Sequence, residues 1–171
     1  MLAMSLMIQR GLWQGDLWIP RIAILPLLLT VVLMAQAMLG HLAYTETAWQ
    51  VTLYMMWVTG LIWLGGALKK HVGLEVVLLW LSWAALVGGI LSVLIGVTQF
   101  FGVQEAFGGL IAVRNGGAVY GNLGQANHFA NYLVVALVGL GYLHVKQRVS
   151  RIWAVVFGAL LLLGMVLSGS R

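Results

Sequence analysis

The run Gly121-Asn122-Leu123-Gly124-Gln125-Ala126-Asn127-His128-Phe129-Ala130-Asn131-Tyr132-Leu133 gathers four amides and a histidine at the mouth of an apolar stretch, in a chain that is 62% hydrophobic. A buried polar group without a partner costs roughly 2–7 kcal/mol, so a polar cluster in such surroundings needs a physical reason. At 100° per residue, Asn127 and Asn131 lie one helical turn apart, His128 stands three residues before Asn131, and Gln125 three before His128. All four are expected on about one half of the helix circumference. Such a face suits a polar cavity or a hydrogen-bond network with neighbouring helices, and it is ill suited to lipid. Spacing leaves two readings open: a site, or amides that cap a span and join helices at about 1 kcal/mol per bond. It is not a metal box, because no second histidine or carboxylate stands at ligand spacing from His128.

Arg114 and Arg171 are the next candidates, since the planar guanidinium fork matches phosphate oxygens in pairs. The plainer reading of each is a loop cation near lipid headgroups. His41, Glu46 and Glu105 read as solvated loop residues, Glu75 as a local partner of Lys69 and Lys70, and His71 and His144 as interfacial residues. Gly88, Gly89, Gly96, Gly139 and Gly141 read as places of close helix approach rather than as a phosphate loop, because no lysine follows in the required spacing. The chain has no cysteine, which excludes disulfides, thiolate metal sites and a cysteine nucleophile.

These residues are positioned by membrane spans. Only 8% of the 171 residues are charged, against roughly 25% in soluble domains, and the mean hydropathy is +1.00. The expected fold is all-α and polytopic, with about five spans near residues 22–39, 51–68, 74–100, 127–145 and 152–167. Residues 1–18 are expected to form a separate cytoplasmic or interfacial segment, an interfacial helix or the stub of a span, and 19–171 the transmembrane domain. Pro20 suits a first turn, and Pro26, deeper in, is expected to kink the first span. The net charge of +5 does not point to nucleic acid, because the basic residues sit in short clusters between apolar runs. With the N-terminus in the cytoplasm, Arg10, Arg21, Lys69, Lys70, Lys146, Arg148 and Arg151 fall inside, and only Arg114 and Arg171 outside. That bias places the amide–histidine cluster on the outer face.

The order Gly121-Asn122-Leu123-Gly124-Gln125-Ala126-Asn127-His128-Phe129-Ala130 resembles the motif of the PglL/PilO-type protein O-oligosaccharyltransferases, relatives of the O-antigen ligases and Wzy-like polymerases. Ala126 stands where that family usually has proline. Gln36, Gly40 and Tyr44 follow another of its patterns, and Ser168-Gly169-Ser170-Arg171 is similar to the Ser-Arg motif that opens its catalytic membrane region. The resemblance covers most of residues 19–171. It implies a bacterial inner-membrane enzyme that moves a glycan from undecaprenyl-pyrophosphate to a Ser or Thr hydroxyl of a periplasmic protein such as a pilin, with no metal or cofactor. Arg171 matches an arginine expected to contact the pyrophosphate. Gln125, Asn127 and His128, with Asn122 beside them, match motif residues expected to shape the donor cavity. Arg114 has no match in the motif and is a candidate by charge alone.

Two departures qualify the likeness. Family members have about a dozen spans and a large downstream periplasmic loop whose essential histidine has no counterpart up to Arg171. The family's opening span and its Pro/Phe/Glu-containing outer loop are also not found. The chain is therefore expected to be an N-terminal-region fragment without transferase activity of its own. Rival readings are an O-antigen ligase or polymerase with a lipid or glycan acceptor, a transporter or flippase segment, and a membrane scaffold. Transport coupled to ions is disfavoured by the near-absence of mid-span charges.

Overall fold

The computed structural model describes residues 20–40, 45–114 and 117–170. The expected class is the observed one. The described residues form helices and no strand, and five helices are long and apolar enough to cross a membrane. Positions Arg10, His41 and Tyr44 lie outside the described residues. The chain divides into two compact units, Met1–Val77 and Leu78–Arg171.

In the first unit, a 3-10 turn (Arg21–Ala23) leads into α1 (Ile24–Met38), which packs on α2 (Thr45–Val72). The second span is longer than the apolar run marks out, because a helix extends into its polar flanks at both ends. Pro26 is the third residue of α1, inside the first turn, where the lost N–H costs least, and only a 3-10 turn precedes it. Two hydroxyls in these helices return to their own backbone: Thr30 Oγ1 donates to Pro26 O and Thr59 Oγ1 to Met55 O, each at 2.8 Å. That is the economical way to carry a hydroxyl through a medium without water. Ala48 and Thr52 of α2 are buried, while Leu53, Tyr54, Met56 and Trp57 are exposed, as a lipid-facing surface requires.

The second unit contains α3 (Leu74–Phe100, whose first turn belongs to the first unit), α4 (Ala126–Val145) and α5 (Arg151–Ser168). Its core gathers Leu86 and Val93 of α3, Phe129, Leu133, Ala136 and Leu143 of α4, and Leu161 of α5. Glycines let the helices meet. A Cβ on Gly89 would stand 2.5 Å from Ala136 Cβ, and one on Gly164 2.5 Å from Val93 Cγ2. A Cβ on Gly139 would stand 3.0 Å from the backbone oxygen of Ser82. Gly88 sits against the Tyr132 hydroxyl, and Gly96 against Val119 and Phe129. Gly141 departs from the expected pattern: nothing lies within 4 Å of its Cβ position, because it faces away from α3.

The α4–α5 connection is closed by backbone bonds. Arg148 N donates to Leu143 O at 2.8 Å and Gln147 N to His144 O at 2.9 Å, the crossed pair that ends a helix on a left-handed residue. Gln147 holds that position with φ 55°, without the freedom of glycine. His144 Nδ1 donates to Val149 O at 3.1 Å, which ties down the far side of the turn.

Candidate functional site

The C-terminal end of α3, the N-terminal end of α4 and the C-terminal end of α5 meet at one end of the second unit, and the motif lies there. Gln125 is the N-cap residue, with extended backbone and no side-chain cap bond. It therefore does not share the helical face expected for it. Helix α4 begins at Ala126, and only Asn127, His128 and Asn131 follow helical spacing. Gln125, Asn127, His128 and Asn131 are all exposed. The buried member of the motif is Phe129, whose ring is 0% exposed. It plugs the space between Gly96 and Gly121 and fixes the rotation of α4, so that the polar residues turn outward.

A connection to the chain's last residues completes this end. Gly169, at φ 60°, turns the backbone out of α5, and its N–H donates to Val166 O at 3.1 Å. Ser168 is buried and donates through Oγ to Met165 O at 2.6 Å, while that same oxygen accepts Ser170 N at 3.1 Å. So held, Ser170 donates through Oγ to Asn127 Oδ1 at 2.8 Å. The two polar motifs, 43 residues apart in sequence, are thus in contact. Beside them a cleft of about 880 Å³ runs between α4 and α5. Its walls are apolar (Val134, Leu162, Met165, Val166), and Asn131 and Ser170 are its polar members. Arg171 lies outside the described residues.

The loop from Phe101 to Gln125 is held by two amides. Gln99, 1% exposed, accepts at Oε1 from Tyr120 N (3.2 Å) and Gly121 N (2.9 Å), and donates through Nε2 to Ala112 O (3.0 Å). Asn122, in the left-handed region at φ 65°, accepts at Oδ1 from Ala112 N and donates through Nδ2 to Leu110 O, both at 2.8 Å. Asn122 thus spends its amide inside the loop. Between these anchored strands of chain lies Arg114, half-buried, donating through Nη2 to Gly117 O, with Tyr120 Oη donating to Val113 O nearby. Gln99 was not among the residues the sequence singled out. The only sign of it was an amide in the last turn of an otherwise apolar span.

The site residues thus divide. Asn127 meets Ser170, and Asn131 lines the cleft together with Ser170; Arg114 and Asn122 belong to the loop; Gln125 and His128 stand exposed at the start of α4. Among the described residues no group of three His, Cys, Asp or Glu side chains is placed to hold a metal ion.

Helices of this length and composition define a polytopic α-helical membrane protein. Within it, residues 119–144 match a family model described as protein glycosylation ligase (PglL_A). The match begins at buried Val119, includes the turn at Gly121 and runs through nearly all of α4. No curated protein and no solved structure matches the chain.

Proposed function

We propose that the protein is the donor-side part of a bacterial inner-membrane glycan ligase. The ligase transfers an oligosaccharide from undecaprenyl-pyrophosphate to Ser or Thr hydroxyls of periplasmic proteins. The observation that carries this reading is the Ser170–Asn127 hydrogen bond. It joins Asn127, inside the stretch matched to glycosylation ligases, with the residue next to Arg171. The neighbouring cleft supports it, since apolar walls with amide and hydroxyl groups at the mouth suit a lipid chain carrying a polar head.

In this reading the acceptor hydroxyl attacks the anomeric carbon and passes its proton to water at the membrane surface. The bond from that carbon to the pyrophosphate oxygen breaks, and the leaving group departs with its negative charge. The chain's part is to hold that charge. By its match to the family's Ser-Arg motif, Arg171 would pair with the pyrophosphate, a headgroup held against the first turn of α4 would meet its free N–H groups, and Asn127 would orient it. Arg114 adds charge from the loop, Gln125 and His128 shape the surroundings, and Asn122 acts only through the loop that its amide holds. Preorganised donors of this kind are worth about 3–4 kcal/mol each where charge develops.

The test is transfer by the full-length gene product in membranes supplied with undecaprenyl-pyrophosphate-linked oligosaccharide and a Ser/Thr-containing acceptor protein. Arg171→Ala and Asn127→Ala are expected to lower turnover by roughly a hundredfold at unchanged protein level. Retained turnover in both would remove this end of the unit from the reaction. Transfer to lipid or free glycan in place of protein would reassign the acceptor.

A further inference from the structure

We infer that Gln99 is a positioning residue: with Asn122 it forms a two-amide clamp that holds the Phe101–Gln125 loop in its donor-binding form. The inference rests on the proposed donor site and deepens it by naming what sets the site's geometry. Three hydrogen bonds converge on the Gln99 amide from both limbs of the loop, one at Ala112 and two at Tyr120 and Gly121. Asn122 ties the same two limbs together from the other side, through Leu110 O and Ala112 N. Ala112 is the shared point: its carbonyl accepts from Gln99 and its N–H donates to Asn122. Arg114 lies two residues beyond it, and the turn at Gly121 leads into the start of α4. The clamp therefore fixes the loop cation and the entry to α4 together.

Gln99 is buried beneath the loop and cannot touch the donor. Its effect has to pass through the fraction of molecules whose loop is in place. If donor selects the clamped form, apparent affinity falls as that fraction falls, while turnover at saturation is preserved. A purely structural role would instead reduce the amount of folded protein, which lowers maximal rate and leaves KM alone.

The experiment compares wild type, Gln99→Met and Asn122→Gly in the full-length gene product. Met keeps the side-chain length without the amide. Gly keeps the left-handed backbone at 122 and removes the exposed amide, so folding survives there even if Gln99→Met folds poorly. The readouts are KM for undecaprenyl-pyrophosphate-linked oligosaccharide, kcat, and amide hydrogen exchange without donor. Both variants are expected to raise donor KM roughly tenfold with kcat within about twofold. Exchange is expected to speed roughly tenfold at Tyr120 and Gly121 in Gln99→Met, and at Ala112 in Asn122→Gly. Unchanged exchange at these amides, or a fall in kcat at constant KM, overturns the clamp. A wild-type protein that transfers no glycan overturns the functional reading instead, and the exchange rates still decide whether the clamp exists.

Discussion

Two glycines of the same motif provide a controlled pair. Gly121 and Gly124 both adopt positive φ, 53° and 77°, so an alanine at either position incurs the left-handed penalty of about 1–2 kcal/mol. Only one of them also lacks room. A Cβ on Gly121 would stand 2.7 Å from Phe129 Cε2 and 2.8 Å from the backbone oxygen of Ser92, whereas nothing lies within 4 Å of one on Gly124. The ring belongs to a fully buried side chain and the oxygen to the backbone of α3, so neither can yield cheaply. Overpacking of this kind costs about 1–3 kcal/mol. Gly124→Ala should therefore destabilise by about 1–2 kcal/mol, and Gly121→Ala by about 2–5 kcal/mol. The assay is equilibrium unfolding of the purified protein in mixed micelles with increasing denaturing detergent, followed by tryptophan fluorescence and by helical circular dichroism. The difference between the two variants isolates the packing contribution, because the backbone penalty is common to both. Equal losses, or a larger loss at Gly124, would refute the close approach of the Gly121 turn to α3 and Phe129.

Gly139→Leu should disrupt the α3–α4 contact and destabilise by about 1–3 kcal/mol or more, because its Cβ faces Ser82 backbone, while Gly141→Leu should be nearly neutral; the same unfolding assay separates them. Gln147→Gly should stabilise the α4–α5 turn by about 1 kcal/mol, since glycine adopts φ 55° without the Cβ penalty; a raised unfolding midpoint checks it, and an unchanged or lowered one counts against the turn geometry.

Much of the architecture was legible because apolar length is a coarse and robust signal. The five spans follow from runs such as Ile152–Leu167, and the observed α5 adds one residue at each end. The boundaries of α2 were less legible, because Thr45–Gln50 and Lys69–Val72 are polar flanks that a helix can extend through once it has begun. The motif region was half readable. Helical spacing at Asn127, His128 and Asn131 was sound and the span was expected from 127, but the same face does not extend back to Gln125, which is the N-cap residue. The roles of Gln99 and Asn122 depend on loop closure over 21 and 12 residues respectively, to Tyr120 and Leu110, and no periodicity carries that information. Glycines in a helix announce close approach but not its direction, which is why Gly139 packs and Gly141 does not.

The meeting of three helix ends has an electrostatic consequence. Each helix carries about half a positive charge at its N-terminus and half a negative charge at its C-terminus. At the motif end of the second unit, α4 contributes its positive pole, while α3 and α5 both contribute negative ones. Two negative poles outnumber one positive, so the macrodipoles of these three helices together oppose an anion there. Only a ligand held tight against the first turn of α4 feels net attraction from the backbone. An anion bound at this end, as proposed for the pyrophosphate, would have to draw most of its countercharge from side chains rather than from the helix poles.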